Sequence, residues 1–233
     1  MSQEVEEIDF DGKLKFPFSL LCIGGSSTGK SSIFDQIILR YSDIVDLSEV
    51  NGEMPEIIYI YSIAQPQFEK HKDKVKYYRG WDHNDLKLEN LKQKRNVQIF
   101  LDDVLDQTCP ELLKLLHTQF CHHFKIAICS IAHNIFQKNY PHWRTIVLNT
   151  HYVILTRSLQ SINSIKNFFI QLFPTQSRDL MEIYNEVTEV PFSHLLIDSH
   201  PLTVSRFRIR SNIFHTPEKP TIVYMLEQNK KKR

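Results

Sequence analysis

An α/β fold around a mostly parallel sheet, flanked by helices, is what the sequence predicts. Three observations carry this. Short apolar runs rich in β-branched and aromatic residues recur along the chain, and segments with apolar residues at helical spacing stand between them. A glycine-rich turn joins the first such run to the first such helix. Strands that alternate with helices close into a parallel sheet with helices on its faces.

Taken in order, Phe18–Ile23 reads as a buried strand ending in glycines, and Lys30–Tyr41 as a helix with apolar residues at 33, 34, 37, 38 and 39. Ile57–Tyr61 and Val75–Tyr78 read as strands, Asp85–Leu91 as a short helix, and Val97–Leu101 as a strand ending in two aspartates. Thr108-Cys-Pro-Glu111 has the form of a capping box, opening a helix that runs to about His123. Lys125–Ala132 and His151–Thr156 read as buried strands, residues 161–172 and 176–188 as helices separated by Pro174, and Ser193–Asp198 and Ser205–Arg210 as late strands.

The 233 residues are enough to bury a core without disulfide or metal staples. With 28 basic and 27 acidic side chains the chain is neither histone-like nor an acidic tail protein, although a local basic patch could still meet DNA. Six glycines and ten prolines exclude collagen and low-complexity classes. The four cysteines form no CxxC pair, and no N-x-S/T sequon occurs, which points to a reduced, intracellular setting. No apolar run approaches the ~18 residues of a membrane span, and the acidic start has no signal-peptide core. The ends differ in charge. Residues 1–11 carry five acids and no base, whereas 201–233 carry eight bases against two acids. The expected division is a flexible acidic segment over 1–15, a catalytic body over 16–215 and a basic tail over 216–233.

The strongest motif is Gly24-Gly25-Ser26-Ser27-Thr28-Gly29-Lys30-Ser31, followed by Ser32. It matches G-x-x-x-x-G-K-[ST], with a strand before it and a helix after. Such a turn aims backbone N–H groups at a phosphate, and the helix N-terminus adds its dipole. Lys30 would reach the β- and γ-phosphates of ATP, and Ser31 would offer its hydroxyl to Mg²⁺. Asp102 and Asp103 close the Val97–Leu101 strand as a Walker B pair. Asp102 would hold Mg²⁺ through water, and Asp103 would orient the attacking water. His133 and Asn134 end the Lys125–Ala132 strand, where either could sense the γ-phosphate or simply cap a turn.

Other site readings find less support. No N-K-x-D segment exists to read guanine. Cys109, His117, Cys121, His122 and His123 lie mostly along one expected helix without a second ligand pair at zinc-finger spacing. Arg206, Arg208 and Arg210 alternate with Phe207 and Ile209, so as a strand they would share one face. They and Lys230–Arg233 could touch DNA phosphates or be solvated.

Together the motifs resemble the DNA-packaging ATPases of the FtsK–HerA superfamily, in the form found in Maverick/Polinton elements and virophages. The resemblance covers about residues 16–215. It rests on PFSLLCIGGSSTGKSS, IIYIYSIAQPQF, IFLDDV, CHHFKIAICSIAHNIF, WRTIVLNTHYVIL and PFSHLLID, in that order. It implies a P-loop NTPase core of the ASCE/RecA-like type and a Mg²⁺-dependent ATPase. It also implies a homo-oligomeric ring that drives double-stranded DNA into a viral capsid, at a portal-like vertex, within the host cytoplasm, nucleus or virus factory. In this likeness Lys30 and Ser31 match the P-loop, Asp102 and Asp103 the acidic pair, and Asn134 the asparagine of a Gln-Asn sensor. His133 stands where the family has Gln, and Gln119 where it has a basic residue. Arg144, in the R-T-x-x-L-N-x-H-Y stretch, is the first choice for an arginine finger, with Arg157 and Arg178 as alternatives. Two rival functions stay open: a P-loop nucleotide or nucleoside kinase, and a nucleotide-binding switch or structural protein with little hydrolysis.

Overall fold

The computed structural model describes residues 11–137 and 140–226. Most of the acidic start and all of Lys230–Arg233 lie outside the described residues. The strands are β1 (Leu14–Lys15), β2 (Ser19–Ile23), β3 (Val45–Asp46), β4 (Glu56–Tyr61), β5 (Val75–Arg79), β6 (Val97–Asp102), β7 (Ile126–Ala132), β8 (Tyr152–Thr156), β9 (His194–Asp198), β10 (Ile209–Ser211) and β11 (Ile222–Val223). The helices are α1 (Lys30–Leu39), α2 (Tyr41–Ile44), α3 (Leu88–Gln93), α4 (Pro110–Leu115), α5 (Cys121–His123), α6 (Trp143–Asn149), α7 (Ile162–Leu172) and α8 (Ser177–Glu189).

Nine strands form one sheet in the order β11-β10-β9-β8-β2-β7-β6-β4-β5. The run from β5 to β8 is parallel, and β9 to β11 continue it as antiparallel neighbours. The P-loop strand β2 lies between β7 and β8, and β7 separates it from β6, which ends in the aspartates. That inserted strand is the ASCE arrangement expected above. β1 and β3 pair separately, and β11 joins the main sheet, so pairing extends past 16–215 at both ends.

Alternation along each strand divides the core between the two faces. In β2, Leu21 and Ile23 face one apolar cluster, which packs residues from α4 to α8. Leu20 and Cys22 face the other, beneath Ile33, Phe34, Ile37 and Ile38 of α1. Phe34 is fully buried against Phe100 of β6, so its loss to Ala would cost about 3–5 kcal/mol. Gln98 is the polar exception in β6. It accepts from the Tyr41 hydroxyl at 2.9 Å and donates to the Ile99 carbonyl at 3.0 Å.

Three local expectations are corrected. Thr108 does not cap α4. The N-cap is Cys109, with Pro110 in the first turn, and the Thr108 hydroxyl donates to the Val104 carbonyl at 2.7 Å. The helix after it is interrupted by a π-turn over Leu116–Phe120, which accompanies the buried His117 whose Nε2 lies 2.8 Å from Ser130 Oγ of β7. Residues 205–210 are not one strand. Ser205–Phe207 is a 3₁₀ turn, and only Ile209–Ser211 pairs. Arg210 is therefore fully buried, with Nη2 at 2.6 Å from Asp198 Oδ2, while Arg208 donates to the Asp198 carbonyl. The three arginines present no common basic face.

Candidate functional site

The site lies at the carboxyl ends of the parallel strands, where an open sheet of this kind takes its ligands. The turn after β2 is held from behind. Gly24 N–H donates to the Ala132 carbonyl and Gly25 N–H to the Arg157 carbonyl, both at 3.3 Å. Glycine at 24 is dictated by space, because a Cβ there would lie 1.8 Å from Thr156 Oγ1. Thr28 faces the same way, its hydroxyl donating to the Gly25 carbonyl at 2.8 Å and lying 2.6 Å from Thr156 Oγ1. Gly29 caps α1 at φ 91°, a left-handed conformation that disfavours other residues.

In front of this turn is a cavity of about 470 Å³ lined by Ser26, Ser27, Gly29, Lys30, Ser31 and Ser32 of the loop. Ser62, Gln65, Asp102, Asp103, His133 and Phe192 complete much of its wall. Lys30 is nearly buried, and its Nζ donates to the Gly24 and Gly25 carbonyls. Burial lowers its pKa, opposed by Cys22, Asp102 and Asp103. The Cys22 thiol beneath it is pushed up to about 12 by burial, so it stays neutral.

Asp102 is buried and accepts three hydrogen bonds. Tyr59 Oη donates at 2.7 Å, Ser31 Oγ at 3.2 Å and Gln65 Nε2 at 3.2 Å. Burial raises its pKa, while the bonds from Tyr59 and Ser31 favour the ionised form. Asp103 behaves differently. It is exposed, at φ 56°, and its Oδ1 lies 3.6 Å from His133 Nε2. Two adjacent carboxylates thus have different settings, one sealed and bonded, the other open to the cavity.

The remaining expected residues lie elsewhere. Asn134 lines a neighbouring cavity rather than this one, and its Oδ1 accepts from the Phe136 N–H at 3.0 Å, as a turn cap does. His133 is the residue of that pair on the loop cavity. Arg144 is exposed on α6, outside the cavity lining. Arg157 donates to the Glu189 carbonyl, and Arg178 pairs with Glu182 along α8. Tyr59, Gln65, Thr156 and Phe192 belong to the site, and sequence reasoning missed them. Tyr59 and Gln65 stand in the IIYIYSIAQPQF segment and Phe192 in PFSHLLID, both quoted for the resemblance, but neither segment marked these residues as parts of a site.

The donor set of Ser31 hydroxyl and Asp102 carboxylate, 3.2 Å apart, is all oxygen and suits a hard cation such as Mg²⁺. With the lysine and the loop, it can accommodate a phosphate chain.

The strand order, the glycine turn and the aspartate facing it define an α/β fold of the P-loop NTPase class. No protein-family model and no curated protein matches the chain. Among solved structures it is similar to the genome packaging NTPase B204 from Sulfolobus turreted icosahedral virus 2 in complex with ATP-gammaS. That match has a TM-score of 0.51 at 13% identity and covers 84% of this chain and 96% of that one. The sulfate complex of the same NTPase matches with a TM-score of 0.51 at 13% identity, over 84% and 95%. At this identity the likeness establishes the fold.

Proposed function

We propose that the protein is an ATP-hydrolysing motor subunit that translocates double-stranded DNA and packages a viral or transposon genome into a capsid. The observation that carries the reading is the shared cavity of Lys30, Ser31 and Asp102. The ordered motif set resembling Maverick/Polinton and virophage enzymes of the FtsK–HerA superfamily supports it, as does the fold shared with an NTPase described as genome packaging.

In this reading the loop amides and Lys30 bind the phosphates of ATP, and Lys30 supplies positive charge to the γ-phosphoryl oxygens in the transition state. Ser31 and Asp102 would hold Mg²⁺, which would supply positive charge to the phosphates. Asp103 orients the attacking water and takes its proton, with His133 beside it to position the carboxylate. Asn134, whose Oδ1 caps the turn at Phe136, would have to leave that cap to serve as γ-phosphate sensor. Arg144 is exposed and reaches into the neighbouring subunit of a homo-oligomeric ring, where such a finger is worth about 10³–10⁵ in rate. Translocation needs only sequence-independent phosphate contacts, so a net charge of +1 does not exclude it. The ring works at a capsid vertex inside the host cell.

The experiment is ATP hydrolysis with and without double-stranded DNA, for wild type, Asp103→Asn and Arg144→Ala, over a range of protein concentration. The expected result is DNA stimulation that grows with concentration, no turnover for Asp103→Asn, and for Arg144→Ala a loss seen only where rings form. Absence of DNA stimulation at every concentration removes translocation.

A further inference from the structure

Two cavities meet at one side chain. Phe192 lines the loop cavity beside Gly29 and Lys30, and it also lines a second cavity of about 700 Å³. The wall of the second is mixed: Val187 and Val190 from the end of α8 and its exit, and Phe214, Ile222 and Tyr224 beyond β10, stand among polar residues that include Glu186, Glu218 and Lys219. The topology brings them together. β9 runs antiparallel to β8, so His194 pairs with Thr156, the residue packed behind the glycine turn.

Phe192 opposes the fold in two ways. It is 71% exposed, and it sits at φ 63°, where a bulky side chain is disfavoured. Its ring nevertheless has a defined place, since a Cβ on Gly29 would meet Phe192 Cδ1 at 3.1 Å. Beneath it, His194 is bonded to the Phe192 backbone, and its buried Nε2 has no hydrogen-bond partner among the described residues. An exposed aromatic, a strained backbone and an unsatisfied polar atom thus gather at the junction of the two cavities.

We propose that Phe192 is the stacking platform for the purine base of the bound nucleotide, and that the second cavity receives the edge of that base. This rests on the nucleotide reading of the loop. A nucleoside triphosphate held by its phosphates at Gly29–Ser31 must place its base one ribose away. The exposed phenyl ring bordering the loop cavity is that of Phe192, packed against Gly29. Stacking recognises the π-face of a base and tolerates its identity. His194, one of several polar residues in this wall with Glu186, Asn212, Glu218 and Lys219, would then help bias the choice among purines.

The test is equilibrium binding of ATP and of inorganic tripolyphosphate to wild type, Phe192→Ala, Phe192→Trp and Lys30→Ala. Phe192→Ala should weaken ATP binding roughly 5- to 150-fold, the worth of one base–aromatic stack, and leave tripolyphosphate binding unchanged. Phe192→Trp should keep ATP affinity, with its fluorescence quenched by ATP but not by tripolyphosphate. Equal ATP affinity in wild type and Phe192→Ala overturns the platform while the loop reading stands. If wild type binds neither ligand, or Lys30→Ala binds tripolyphosphate as wild type does, the loop reading fails and takes the platform with it.

Discussion

Tyr59 Oη donates to Asp102 Oδ2 at 2.7 Å, tying the metal-side carboxylate to β4 as well as to the P-loop helix. The bond favours the ionised carboxylate, against the burial that raises its pKa. Tyr59→Phe should therefore raise the pKa of Asp102 further. The acid limb of the kcat–pH profile should move to higher pH, and the fold should lose about 1.5–3 kcal/mol, the worth of a hydrogen bond to a charged group. A kcat profile against pH with urea unfolding alongside separates the two effects. An unmoved acid limb would mean that Asp102 ionisation does not govern turnover.

Gly24→Ala drives a methyl group into Thr156 Oγ1, a contact that overpacks by about 1–3 kcal/mol. Thermal unfolding should show a lower Tm and a lost response to ATP. Thr156→Ala in the same chain frees the space, at the expense of its contact with Thr28. The double variant should recover part of the Tm, and no recovery would place the damage elsewhere in the loop.

Arg210 and Asp198 form an ion pair almost wholly sealed from water. Arg210→Met leaves a buried carboxylate without its counter-charge and should cost about 3–5 kcal/mol. Replacing both by apolar residues should cost less than either single change. A double-mutant cycle in urea reads this directly. Equal losses would show that the pair contributes through packing alone.

Acid should weaken the fold through its histidines. Burial is the main cause that pushes His117 down to about 3, and His151, His194 and His200 down to about 4. Each stays neutral in the fold while the unfolded chain titrates near 6.5, so the stabilisation is complete above that value and is lost as pH falls through the folded values. Each histidine contributes up to about 1.4 kcal/mol per pH unit in the window. Asp102 and Asp198, raised by burial, act in the opposite sense, two groups against four. Stability from urea unfolding should decline from pH 7 to about pH 4, and a flat profile would contradict the neutral histidines.

The parts of the fold legible in the sequence are those fixed by short-range patterns. β2, α1 and β6 carry their own periodicity, and the P-loop spacing leaves little choice about which backbone faces a phosphate. What escaped depends on distant partners. The Arg206–Arg210 alternation has a strand's period, yet Asp198 of β9 draws Arg210 inward and Arg208 onto its carbonyl. Thr108 had the right spacing for a cap, but its hydroxyl turns back to Val104. Gln65 reaches Asp102 from a loop with no periodic signal, and Phe192 reaches Gly29 across more than half the chain. α6 went unread because its seven residues, with Trp143, Ile146, Val147 and Leu148 apolar, are too short a run to show a helical face.

All five residues of β2 are buried, and hydrogen-bonded neighbours grip it on both sides. The glycine turn is thus anchored to a central strand paired along both edges. Should the proposed hydrolysis drive a stroke, the Ser62–Gln65 segment after β4 and the loop bearing Phe192 before β9 are the parts of the cavity wall rooted further out. In that reading the glycine turn would serve as the fulcrum and those two loops as the levers.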